Sequence, residues 1–123
     1  MSHIVQIQTQ VRDPVAVAAA CQRLGLVQPQ HETVKLFTST ETGLTVRFHG
    51  WRYPVVCDLA SGSLKYDNFS GRWGDQQKLD NFLQSYAVEK AKLAARQKGH
   101  SVTEQSLADG SIKLTIQVAG GAA

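Results

Sequence analysis

Polar and hydrophobic positions alternate strictly at the start of the chain. Val5, Ile7, Thr9 and Val11 fall on one side of an extended segment, and Gln6, Gln8 and Gln10 on the other. A period of two predicts a strand with one wet face, as antiparallel sheets permit. Asp13-Pro14 follows, an N-cap residue before a proline suited to the first helical position. The run VAVAAACQRLG then places Val17, Cys21 and Leu24 on one stripe, with Gly25 as its stop, which predicts a helix. Its many alanines suit close approach to a neighbouring element.

Alternation returns over Thr33 to Ser39 and Leu44 to His49, so TETG (40–43) reads as the loop of a hairpin. GWRYP (50–54) breaks the pattern. Val55 to Leu59 and Leu64 to Asp67 then flank ASGS as a second hairpin. DNFSGRWGD (67–75) is the longest break, and Asp75 at its end is placed to cap a long second helix. That helix carries the stripe Leu79, Phe82, Leu83, Tyr86, Ala87, Ala91 and Ala94 and stops at Gly99. Ser101 to Leu107 and Ile112 to Val118 form a third hairpin around Asp109-Gly110, a pair that predicts a type I′ turn with positive φ at both central residues. The order β-α-β-β-β-β-α-β-β predicts an α+β two-layer sandwich, a mainly antiparallel sheet of three hairpins with two helices on one face. One domain is expected over residues 1–118, with 119–123 as a frayed tail.

Composition narrows the class. At 42% hydrophobic and 19% charged residues, the chain falls outside the disordered, collagen-like and disulfide-scaffold classes. No apolar run approaches the ~18 residues that cross a bilayer, and MSHIVQIQTQ lacks the basic head and apolar stretch of a secretory leader. The expected setting is the cytoplasm, with no membrane partner. Thirteen Lys and Arg against ten Asp and Glu give a formal charge of +3, too small a surplus to imply nucleic acid without clustering. Cys21 and Cys57 lie in apolar segments with no CxxC, where cysteine acts as a small hydrophobe. The four histidines are scattered, so neither a metal site nor a cofactor is expected.

Three groups of residues carry candidate chemistry. In the loop GRWGD (71–75), Arg72 and Trp73 form a contact pair of the kind that dominates binding hot spots. The plainer reading has Trp73 plugging the sheet, the glycines permitting a turn and Asp75 capping a helix. Arg47, His49, Trp51, Arg52 and Tyr53 interleave cations with aromatics, as proteins that stack bases do. With Arg72, Lys92 and Arg96 they define a nucleic-acid reading, although the Lys90–Lys98 cations also suit the negative pole of a helix end. Asp58, Asp67 and His49 could form a carboxylate–imidazole site if the middle hairpins bring them together, and Asp67-Asn68 suits an Asx-turn equally well. There is no P-loop, HExxH or dinucleotide fingerprint.

The start MSHIVQIQTQVRD, the middle CDLASGSLKYDNFSGRWGD, the helix LDNFLQSYAVEKAKLAARQKGH and the close ADGSIKLTIQV resemble a family of unknown function, domain-of-unknown-function family 1257, related to a hypothetical reading frame of plastids and cyanobacteria. The resemblance spans about residues 1–118, and the GRWGD loop looks like its bacterial branch. It implies a small cytoplasmic protein, often encoded near an AAA-type ATPase and small companion proteins, with no established reaction. The combined expectation is a non-catalytic accessory module that recognises a protein partner, an AAA-type ATPase being the one the resemblance implies. Its surfaces would be a sheet edge or the region of Trp51, Arg52, Arg72 and Trp73. A homodimer by sheet continuation is a secondary expectation. Nucleic-acid binding and a small enzyme are the alternatives.

Overall fold

The structure is a computed structural model and describes residues 4–118. In chain order it contains β1 (Val5–Gln8), α1 (Pro14–Arg23), β2 (Gln30–Lys35), β3 (Thr40–Val46), β4 (Val55–Asp58), β5 (Ser63–Tyr66), α2 (Gln76–Gln97), β6 (Ser101–Ser106) and β7 (Ile112–Gln117), with a single 3-10 turn at Phe69–Gly71. Every strand pairing is antiparallel, and the fold is an α+β sandwich with the predicted order of elements. Packing divides the chain into two compact units between Tyr86 and Ala87.

In the first unit the sheet runs β1-β5-β4-β3-β2. The rung Ile7–Leu64–Cys57–Leu44 fixes which residues share a face, because side chains alternate along each strand. Leu64, Val55, Cys57, Val46 and Tyr66 lie buried on that face. Two helices cover it. α1 buries Ala16, Val17, Ala20 and Cys21, and the first half of α2 buries Leu79 and Phe82, the latter ring 5.8 Å from Phe48. Each large apolar side chain removed from water here contributes about 1.5–3 kcal/mol. The opposite face is polar and is crossed by the ion pairs Lys65–Glu41, at 3.1 Å, and Arg47–Glu32.

Both helix starts form as local chemistry predicts. Asp13 Oδ1 accepts from the Val15 amide at 2.9 Å and the Ala16 amide at 3.4 Å, and Asp75 Oδ1 accepts from the Gln77 amide at 3.0 Å. α1 stops with the Leu26 amide donating to Cys21 O at 2.9 Å around Gly25.

Three expectations change. TETG is not a loop: it lies inside β3, and the chain reverses at Leu36–Ser39, where the Leu36 amide donates to Ser39 O at 2.8 Å. The reason is Gly43. A Cβ there would sit 2.6 Å from Cys57 O and 2.9 Å from Val56 Cγ1, so this glycine permits close approach of β3 to β4 and makes no turn.

The closing hairpin also fails to extend the sheet. β6 and β7 pair only with each other, in the second unit. β6 has Val102 as its single aliphatic residue, too little apolar face to be zipped into the larger layer. Its turn is not type I′ either, since Gly110 alone is left-handed, at φ +87°. The Gly110 amide donates to Leu107 O at 3.1 Å and the Leu107 amide to Ser111 O at 2.9 Å, a type I turn closed by a glycine bulge. Asp109 favours this form by accepting from the hydroxyl and amide of Ser111, and those bonds hold its carboxyl below the usual range.

Within that second unit, α2 buries Val88 and Ala95, while the expected stripe members Ala87 and Ala94 are exposed. Lys92 lies 3.3 Å from Glu89 and 3.4 Å from Glu104. The expected tail lies outside the described residues. No described helix is long and apolar enough to cross a membrane.

Candidate functional site

The loop from Asp67 to Asp75 is organised by its first two residues. Asp67, fully buried, accepts from the Phe69 amide at 3.3 Å, the Asx-turn expected of this dipeptide. Asn68 O accepts from the amides of Gly71 at 3.0 Å and Trp73 at 2.9 Å. Its side-chain amide donates to Gly74 O at 3.4 Å and Gln76 Oε1 at 3.3 Å. To make this tight reversal, Phe69 and Ser70 adopt left-handed φ values of 47° and 52°. A residue with a Cβ held there costs about 1–2 kcal/mol. Ser70→Gly is therefore expected to stabilise the protein by about 0.5–1 kcal/mol, the difference that remains after glycine's larger entropy loss. A raised urea midpoint at unchanged slope would establish it, and a lowered one would mean that the serine side chain holds the loop.

The reversal presents Trp73 to a group of rings drawn from three segments. Phe69 lies 4.6 Å away between centroids, Phe37 at 5.1 Å and Tyr53 at 5.7 Å. Such tilted and edge-on contacts are worth about 0.5–1.5 kcal/mol each beyond the area they bury. The Arg52 amide donates to Trp73 O at 2.8 Å, which ties the 50–54 segment to the loop. Arg52 then places its guanidinium 5.0 Å from the Trp73 ring and 5.7 Å from Tyr53, and Arg72 places its own 5.1 Å from Phe69. Phe37 is 48% exposed, and both arginines are exposed.

Of the four residues expected to bind a partner, Arg52, Arg72 and Trp73 thus belong to one surface. Trp51 is used differently. Its ring packs on Phe48 at 5.2 Å and Tyr66 at 5.8 Å, and its Nε1–H donates to Asp75 O at 3.1 Å, so it braces the loop from beneath. Phe37, Tyr53 and Phe69 complete the surface without having been singled out as its members. For Phe37 the sequence signal is an aromatic residue at a hairpin tip, hidden because the alternation places that tip at TETG.

The nucleic-acid set does not form one run of free cations. Arg47 is paired with Glu32, Lys92 with two glutamates, and Lys92 and Arg96 belong to the second unit. The proposed enzymatic trio is dispersed. Asp58 pairs with Ser63 in the ladder and caps the β4–β5 turn through the Ala60 amide at 3.1 Å. Asp67 lies four residues beyond Ser63, about 13 Å along the strand. His49 Nε2 lies 3.2 Å from Gly25 O, beyond the end of α1.

Among the described residues, no three His, Cys, Asp or Glu side chains are grouped as a metal would need. Both cysteines are free and buried. Burial pushes the Cys21 thiol up to about 11, and burial, with a smaller contribution from Cys21, pushes that of Cys57 up to about 12. Neither is a ready nucleophile at neutral pH. Set against protein-family models, curated proteins and solved structures, the chain matches none.

Proposed function

We propose that this protein is a non-catalytic recognition module that binds a protein partner through the surface centred on Trp73. One observation carries the reading: Arg52 and Arg72 rest on a continuous group of aromatic rings at an exposed edge of the fold. Rings and guanidiniums combine large contact area with directional donors, the composition of binding hot spots. Structural packing alone would not require charged groups on the outer side of the rings. The AAA-type ATPase implied by the family resemblance is part of this proposal and makes a defined bait.

The test is an affinity capture with the full chain, comparing wild type with an Arg72→Ala, Trp73→Ala variant and with the milder Arg52→Gln, Arg72→Gln variant. The second pair changes exposed residues only, so circular dichroism should be unchanged and the urea midpoint should fall by no more than the ~0.5–1 kcal/mol of each cation–π contact removed. Partners retained by wild type, the ATPase bait among them, are expected to be lost from both variants. Identical partner sets would remove this surface from consideration. An oligonucleotide titration at two salt concentrations separates the alternative, because phosphate contact gives a steep salt dependence.

A further inference from the structure

We infer that the Trp73 surface takes an acidic protein segment, one in which Asp or Glu residues flank an apolar or aromatic anchor. The inference rests on the reading of that surface as a docking site and adds the chemistry of its occupant. Among the described residues Arg47 pairs with Glu32, Lys65 with Glu41, and Lys92 with Glu89 and Glu104. Arg52 and Arg72 instead rest on aromatic rings. Among the described residues their guanidiniums lie against rings and have neither a carboxylate nor a side-chain hydrogen bond. A guanidinium lying against a ring keeps N–H donors at its rim, directed away from the π-face, in the fork that a carboxylate matches with two parallel bonds.

The spacing fits two anions around one anchor. Arg52 sits on Trp73 and Arg72 on Phe69, and those two rings are in contact at 4.6 Å. An apolar side chain inserted beside Trp73 and the exposed Phe37 would leave the residues on either side of it within reach of the two forks. A nucleic-acid backbone suits the surface less well. Two unpaired cations are few for a phosphate track, and Arg47, assigned to such a track by the sequence, is already neutralised.

The experiment uses the full-length chain and an immobilised library of short peptides that combine Glu or Asp with Phe, Leu or Pro. A matched library carries Gln and Asn at the acidic positions, and a single-stranded oligonucleotide is the third probe. Acidic peptides are expected to bind, their amide counterparts to bind at least roughly tenfold more weakly, and Arg52→Gln, Arg72→Gln to abolish that difference. If acidic and amide peptides bind equally and Trp73→Ala weakens both, the anionic part is overturned while the docking surface stands. If only the oligonucleotide binds, the segment is replaced by nucleic acid. If no probe binds and Trp73→Ala changes nothing, the docking reading itself falls.

Discussion

Gly74→Ala is expected to cost about 3 kcal/mol, the upper end of the penalty for overpacking a filled site. A Cβ at this position would stand 2.4 Å from Cδ2 of Trp51, 2.6 Å from Cε2 and 2.7 Å from Cγ. The indole cannot yield easily, because Phe48 and Tyr66 hold its sides and Asp75 O holds its N–H. Trp51→Ala should cost a similar amount, about 3 kcal/mol, by loss of packing. The decisive measurement is the double-mutant cycle in urea. With the indole removed the added methyl has room, so Gly74→Ala should then be nearly neutral and the coupling should exceed about 2 kcal/mol. Additive costs would mean that Trp51 does not brace the loop through Gly74.

Removing one hydroxyl, Tyr86→Phe, is expected to cost about 2–3 kcal/mol. The Tyr86 hydroxyl accepts from the amides of Arg12 and Asp13, each at 3.1 Å, and donates to Gln10 O at 3.2 Å. It satisfies three main-chain groups in the link between β1 and α1, groups with no regular secondary structure to pair them. Phenylalanine keeps the packing of this buried ring and takes the hydroxyl away from all three groups, at about 1 kcal/mol or more for each donor. Chemical denaturation measures the total, and faster hydrogen exchange at the Arg12 and Asp13 amides locates it. A loss under about 0.5 kcal/mol would mean that water replaces the hydroxyl without penalty.

These two tethers show why part of the candidate site was legible and part was not. Arg72 and Trp73 stand out because two glycines isolate them in a segment without aliphatic alternation. Arg52 and Trp51 stand out because Gly50 and Pro54 break the alternation around them, yet nothing local distinguishes a tryptophan that braces from one that faces outward. Their roles separate only because Gly74 lies under one ring and Phe37, Tyr53 and Phe69 surround the other. Tyr86 reads as one more member of an apolar helical stripe, and its hydrogen bonds to residues more than seventy positions earlier leave no local trace.

The sequence by itself determined what is set by interactions a few residues apart: the order of nine elements, the caps at Asp13, Asp75 and Gly25, and the apolar side of the main sheet. Periodicity and capping are physics of neighbouring residues, so one chain suffices to read them. Tertiary structure alone decided that Gly43 serves close approach, that the closing hairpin keeps its own small sheet, and that four rings and two guanidiniums meet at Trp73. Those outcomes depend on register and loop path between distant segments, where many pairings satisfy the same local pattern and packing selects one.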